Sequence, residues 1–162
     1  MHSNSLRPGA DFAESYKKHG IMLYKLAMVH LGHPHDAEEA MQEAFMKLLY
    51  NAPAFQDDEH EKAWLIRVVT NHCRNMRRSS WFRRVVKGAE VPEASSICAA
   101  QPLMELVLAL PFRYRTVIHL YYYEEYSVKE IAGILHISES AAKMRLNRGR
   151  QRLKLDLEGE GL

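Results

Sequence analysis

Cysteine is scarce in this chain. Only Cys73 and Cys98 occur, in no CxxC spacing, so the sequence offers no disulfide framework and free thiols in a reducing compartment are expected. Long apolar runs are missing too. No stretch approaches membrane-spanning length, and the N-terminus MHSNSLRPGADF lacks the apolar core of a signal peptide. Membrane insertion is thereby excluded, and a soluble cytoplasmic protein is expected. Strand patterning is absent, since no alternation of apolar and polar residues survives beyond a few positions; that leaves an all-α fold. Nor is there an internal repeat or a low-complexity run. A net charge of only +2 means that the chain as a whole is no polycation.

Charge of one sign is instead missing locally. From Asp36 to Glu61 the acids Asp36, Glu38, Glu39, Glu43, Asp57, Asp58, Glu59 and Glu61 meet a single basic residue, Lys47. From Arg67 to Lys87 the basic residues Arg67, Arg74, Arg77, Arg78, Arg83, Arg84 and Lys87 meet no acid. Blocks of this kind imply one surface for a basic partner and another for phosphates.

What is present is helical periodicity. A first helix is expected over 11–31, with Phe12, Tyr16, Leu23, Leu26 and Ala27 on its apolar stripe, and Gly32-His33-Pro34 ends it. A second runs from Asp36 to about Asn51, burying Ala37, Ala40, Met41, Ala44, Phe45, Leu48 and Leu49. Its other side carries Asp36, Glu38, Glu39, Gln42 and Glu43; acids in a first turn also suit the helix dipole, which alone explains several of them. A loop over 51–59 holds Pro53 and Phe55, and a third helix follows from Glu61 to about Arg78, with Trp64 read as a core residue. These helices make a first domain over 1–80. Residues 81–101 lose the period and read as a flexible linker, which Trp81 and Phe82 anchor. A second small helical domain over 102–162 opens with helices over 103–110 and 112–123.

That domain ends in a helix-turn-helix pattern, SVKEIAGILHISESAAKMRLNRGRQRLK. Ser127 and Glu130 have capping-box spacing, His136-Ile137 breaks the helix, and Ser138 caps the next one. Ala142, Leu146, Gly149 and Leu153 share its inner face. Ser140, Lys143, Met144, Asn147, Arg148 and Gln151 share the outer face, which suits a DNA major groove. The plainer reading is a solvated basic face. Against it, Lys143, Arg145, Arg148, Arg150, Arg152 and Lys154 are opposed within that helix only by Glu139.

In their order the pieces resemble the extracytoplasmic-function (ECF, group IV) sigma factors of bacterial RNA polymerase. Three segments carry the likeness: DAEEAMQEAFMKLL at 36–49, FQDDEHEKAWLIRVVTNHCRNMRR at 55–78, and the stretch from Leu110 to Lys154. The resemblance implies that Asp36, Glu39, Gln42 and Glu43 bind the coiled coil of the largest subunit of core RNA polymerase. It implies a pocket at Phe55, Gln56, Asp57 and Asp58 for a base extruded from the −10 element of promoter DNA. Arg67, Asn71, Arg74, Arg77 and Arg78 would hold the adjoining strand. By the same likeness Ser140, Lys143, Met144, Arg145, Asn147, Arg148 and Arg152 contact the −35 duplex, with Lys143, Asn147 and Arg148 reading bases and Arg145, Arg150 and Arg152 nearer phosphates. The sequence departs from the family at Ser140-Ala141-Ala142, where Gly-Thr-Val is frequent, and at Met144, usually a small polar residue. An anti-sigma factor and a stress or envelope-response regulon are further implications of the family alone.

Two other classes compete with this reading. His30, His33 and His35 lie close together, but Gly32 and Pro34 interrupt them and no HExxH pattern occurs, so neither metal, cofactor nor enzymatic activity is expected. A stand-alone helix-turn-helix regulator that binds duplex DNA as a dimer explains 127–154. It leaves the acidic and basic helices of the first domain without a purpose.

Overall fold

The computed structural model describes residues 9–79 and 102–159, with side chains described over 11–79 and 105–154. The expected linker at 81–101, with Trp81, Phe82 and Cys98, lies outside the described residues. Among the described residues there are helices and no strand, as the patterning requires. The chain divides into two compact units, residues 1–86 and 87–162.

In the first unit, α1 (Gly9–Leu31), α2 (Pro34–Asn51) and α3 (Asp58–Arg78) each pack against the other two. Leu23, Leu26 and Ala27 of α1 meet a core made by Ala37, Ala40, Ala44, Phe45 and Leu48 of α2 and Leu65, Ile66, Val69 and Cys73 of α3. The Cys73 side chain is fully buried there. The turn after α1 uses Gly32 at φ 70°, whose N–H donates to the Met28 carbonyl at 2.8 Å. Glycine takes that left-handed conformation without a Cβ clash.

Two helix starts fall earlier than the sequence indicates. The second begins at Pro34 rather than Asp36, because proline's missing N–H costs nothing in a first turn. The third begins at Asp58 rather than Glu61. There the Asp57 carboxylate accepts the His60 N–H at 2.8 Å, so acids that read as loop are the cap and first turn of α3. Glu61 differs more. It is buried rather than on the surface, and its Oε1 accepts the Ser15 hydroxyl of α1. His19, one turn along α1 from Ser15, is buried as well. Trp64 is only half-buried; it lies at the edge of the core, with its ring against Phe55.

In the second unit, α4 (Pro102–Ala109), α5 (Phe112–Tyr122), α6 (Val128–Leu135) and α7 (Glu139–Gly159) follow in order. Every residue of α5 from Tyr114 to Leu120 is buried, which makes it the central helix. Val107, Leu110, Ile131, Ile134, Ala142 and Leu146 complete the core around it. At Gly149 the backbone of α7 meets α5 so closely that a Cβ would stand 2.9 Å from Ile118 Cγ1 and 3.5 Å from Tyr114 Cβ.

Two stability tests follow from this packing. Gly149→Ala forces a methyl against the buried branch of Ile118, an overpacking expected to cost about 1–3 kcal/mol in equilibrium urea unfolding of the full chain; an unchanged midpoint would mean that α5 and α7 are not in close contact. The second concerns pH. Burial lowers the His19 pKa below its ordinary 6.5, while the Glu61 carboxylate pulls the other way. The unfolded chain therefore takes up more protons than the folded one just below pH 6.5. The stabilisation from neutral His19 is fully present above that value and is lost as pH falls through the folded pKa. The urea midpoint should fall more steeply on acidification for the wild type than for His19→Gln, and parallel curves would contradict the assignment.

Candidate nucleic-acid and protein interfaces

The outer face of α7 is set by how α6 and α7 are joined. The Ser127 hydroxyl accepts the Glu130 N–H and the Glu130 carboxylate accepts the Ser127 N–H, each at 3.1 Å, closing the capping box at the start of α6. His136 ends α6 in the left-handed region at φ 55°, and the Ile137 N–H returns to the Ala132 carbonyl at 3.0 Å. Ser138 then caps α7 by accepting the Ala141 N–H at 3.0 Å. With Ala142, Leu146 and Gly149 turned inward, Ser140, Lys143, Met144, Asn147, Arg148, Gln151 and Arg152 are all exposed. Arg145 is half-buried on the flank.

Two arginines of α7 are engaged by tyrosines of α5. The Tyr114 phenol is held below its ordinary pKa by hydrogen bonding from Arg113 first and from Arg148 second, so Arg148 sits beside that ring system at the rim of its own face. Arg150, expected nearer phosphates, is seated against α5: its Nε donates to the Tyr122 hydroxyl at 2.6 Å and its guanidinium lies 5.0 Å from the Tyr121 ring centroid. That cation–π and hydrogen-bonded seat fastens α7 to α5.

A second basic face lies on α3. Arg67, Asn71, Arg74 and Arg78 recur at helical intervals along one outward stripe; Asn71 and Arg78 are exposed, Arg67 and Arg74 half-buried. Arg77 stands off this stripe, half-buried, where loss of solvent pulls its pKa down. Trp64 continues the stripe toward the N-terminus of α3 and meets Phe55 edge-on, with ring centroids 5.6 Å apart. His60 closes the cluster. Its ring is 5.3 Å from that of Phe55, and its Nδ1 accepts the Gln56 N–H at 3.2 Å.

The loop residues expected to line a base pocket therefore separate by role. Asp57 caps α3. Asp58 pairs with Lys18 of α1 at 3.0 Å, and the ammonium holds its carboxyl below the ordinary range. Phe55 packs between His60 and Trp64. Only the side chain of Gln56 is both exposed and outside these arrangements. Sequence reasoning misses His60 and Lys18, and the Asp-x-x-His spacing of a helix cap is the available signal for His60.

The acidic face of α2 presents Glu38, Glu39, Gln42 and Glu43 to solvent. Asp36 is turned aside at the helix start, its side chain 14% exposed and 3.9 Å from His33 Nδ1. Met46 and Tyr50, about half exposed, extend the Glu39–Gln42 stripe by two more turns. They too escape the sequence reading, although their i, i+4 spacing from Gln42 is there to be seen. Among the described residues no cluster of three or more His, Cys, Asp or Glu could hold a metal ion, and His30 is buried in the core. No described helix is long and apolar enough to cross a membrane.

The family profile described as Sigma-70 region 2 matches residues 15–83, and that described as Sigma-70, region 4 matches residues 100–153. The ECF RNA polymerase sigma factor SigW of Bacillus subtilis is 32% identical over 91% of this chain and 88% of its own length. SigL of Mycobacterium tuberculosis, another ECF sigma factor, is 29% identical over 91% of this chain and 89% of its own. Among solved structures, the fold is shared with the sigma factor RpoE of Bartonella quintana, crystallised with the anti-sigma factor NepR. That likeness has a TM-score of 0.67 at 21% identity, over 91% of this chain and 97% of the other. CnrH, in complex with the cytosolic domain of CnrY, gives a TM-score of 0.69 at 22% identity over 94% and 90% of the two chains. With region 2 on the first helical unit, region 4 on the second, and a relative of this likeness along nearly its whole length, the chain belongs to the ECF RNA polymerase sigma factors.

Proposed function

We propose that this chain docks on core RNA polymerase through the outer face of α2 and positions it on promoter DNA through α3 and α7. The observation that carries the assignment is the separation of charge onto different helix faces: an acidic, exposed face on α2, a basic, partly exposed stripe on α3 and a basic, exposed face on α7. Glu39, Gln42 and Glu43 meet the basic coiled coil of the largest polymerase subunit, and Asp36 supports the start of their helix. On α3, Arg67, Asn71, Arg74 and Arg78 hold the non-template strand of the −10 element, with Arg77 at their flank. Extruding a base there costs a few kcal/mol, which stacking and phosphate contacts offset. Gln56 and the Phe55–Trp64 edge are the groups that receive it, while Asp57 and Asp58 keep the loop in place.

On α7, Lys143, Asn147 and Arg148 read base edges of the −35 duplex, and Ser140, Arg145 and Arg152 contact the backbone. Residues 1–80 and 102–162 act as two binding modules. Joining them by the segment 81–101 raises the effective concentration of the second contact once the first is made. The chain brings no catalytic group, metal or cofactor to initiation, and it works in the cytoplasm. An inhibitory anti-sigma partner, of the kind seen with the Bartonella protein, covers these same faces. A stand-alone dimeric regulator explains α6 and α7 but gives no use for the faces of α2 and α3.

Two variants separate the surfaces. Arg148→Ala should cost about 1–3 kcal/mol at one position of the upstream element and leave core binding intact. The double variant Gln42→Ala, Glu43→Ala should weaken core binding by pull-down titration and leave the DNA preference of α7 unchanged. Loss of both activities in either variant would contradict a division between two surfaces.

A further inference from the structure

Met144 stands at the centre of the exposed face of α7 and is 44% exposed. Ser140, Asn147, Arg148 and Gln151 surround it at four residues before and three, four and seven after, and Lys143 adjoins it. Every one of those neighbours is polar or charged and exposed in the free protein. The thioether is apolar, and the described residues of the second unit leave it exposed. A partner that gains from this side chain must offer it apolar surface. In the major groove the one apolar group on a base edge is the thymine 5-methyl.

Geometry places that contact next to a second reader. Three residues of helix rise about 4.5 Å, close to the roughly 3.4 Å between successive base pairs. Asn147, one turn beyond Met144, has the amide that pairs with adenine N6 and N7. An adenine read by Asn147 brings its partner thymine, or the thymine of the adjoining pair, within reach of Met144. We propose that Met144 is a specificity-determining residue that selects thymine in the upstream element by contact with its 5-methyl group, beside an A·T pair read by Asn147. The inference rests on the placement of α7 in the upstream duplex proposed above. A methionine suits this role because its unbranched chain adjusts to the methyl position without strain.

The test uses holoenzyme reconstituted from the full chain and core RNA polymerase. Duplexes are selected from a randomised promoter library, and the tightest is remade with each upstream thymine replaced in turn by deoxyuridine. That change removes only the methyl group. At one position the wild type should lose about fourfold in affinity, the worth of roughly one buried methyl. Met144→Ala should bind the thymine and uracil duplexes equally, Met144→Leu should retain the discrimination, and Asn147→Ala should lose adenine preference at the same or the neighbouring pair. Since Met144 is exposed, circular dichroism should show the variants folded as the wild type. Equal losses for wild type and Met144→Ala at every uracil would overturn the assignment while leaving α7 a base reader. A selection that returns no fixed bases upstream would overturn both this inference and the reading beneath it.

Discussion

The second unit depends on how closely α7 can lie against α5. Gly149 has no side chain where Ile118 and Tyr114 stand, and Ala142 and Leu146 fill the same inner stripe. These contacts fix the rotation of α7 about its own axis. A turn of one residue, about 100°, would bury Lys143 or Asn147 and bring Leu146 into water. Arg150 adds a lateral fastening through Tyr121 and Tyr122. The outward face is thus a consequence of packing, and its chemistry is whatever remains once the inner stripe is satisfied.

The first unit solves a different problem, the coexistence of strong opposite charges in one small bundle. Its acidic and basic faces are carried by different helices, and each helix buries its apolar stripe against the other two. Where charges of opposite sign do meet, they hold elements together. Lys18 joins α1 to the start of α3 through Asp58, and Ser15 bonds Glu61 inside the interface of the same two helices. The ion pair is exposed and contributes little on its own. The buried bond matters more, because leaving a carboxylate unsatisfied in the core is costly. Glu38, Glu39 and Glu43 of α2 and Arg78 of α3 stay exposed, and on the proposed reading the two helices meet different partners.

Much of this is legible from local signals. The capping box at Ser127, the glycine turn at Gly32, the inner stripe from Ala142 to Gly149 and the outward face of α7 all follow from spacing within a few residues. What escapes depends on partners distant in the chain. Glu61 looks like one more surface acid until Ser15, 46 residues away, is seen against it. The seat of Arg150 is equally invisible locally, because the hydroxyl that accepts its N–H belongs to Tyr122, 28 residues away. Asp57 and Asp58 show a subtler failure: composition marks acids as loop, whereas a carboxylate in a first helical turn is capping material. Met46 and Tyr50 are easily passed over because exposed apolar residues at helical spacing look like core.

In the proposed function, an acidic face meets a protein partner, a basic stripe beside an aromatic edge takes the opened strand, and α7 reads the groove, so that together they bring an enzyme to a particular place on DNA. The measurement that reaches this most directly is transcription in vitro, with purified core polymerase on genomic DNA and mapping of RNA 5′ ends with and without the chain. The account predicts chain-dependent start sites that share two upstream sequence elements at a fixed separation. Absence of any chain-dependent initiation, together with tight binding of duplex DNA by a dimer of the chain alone, would contradict it.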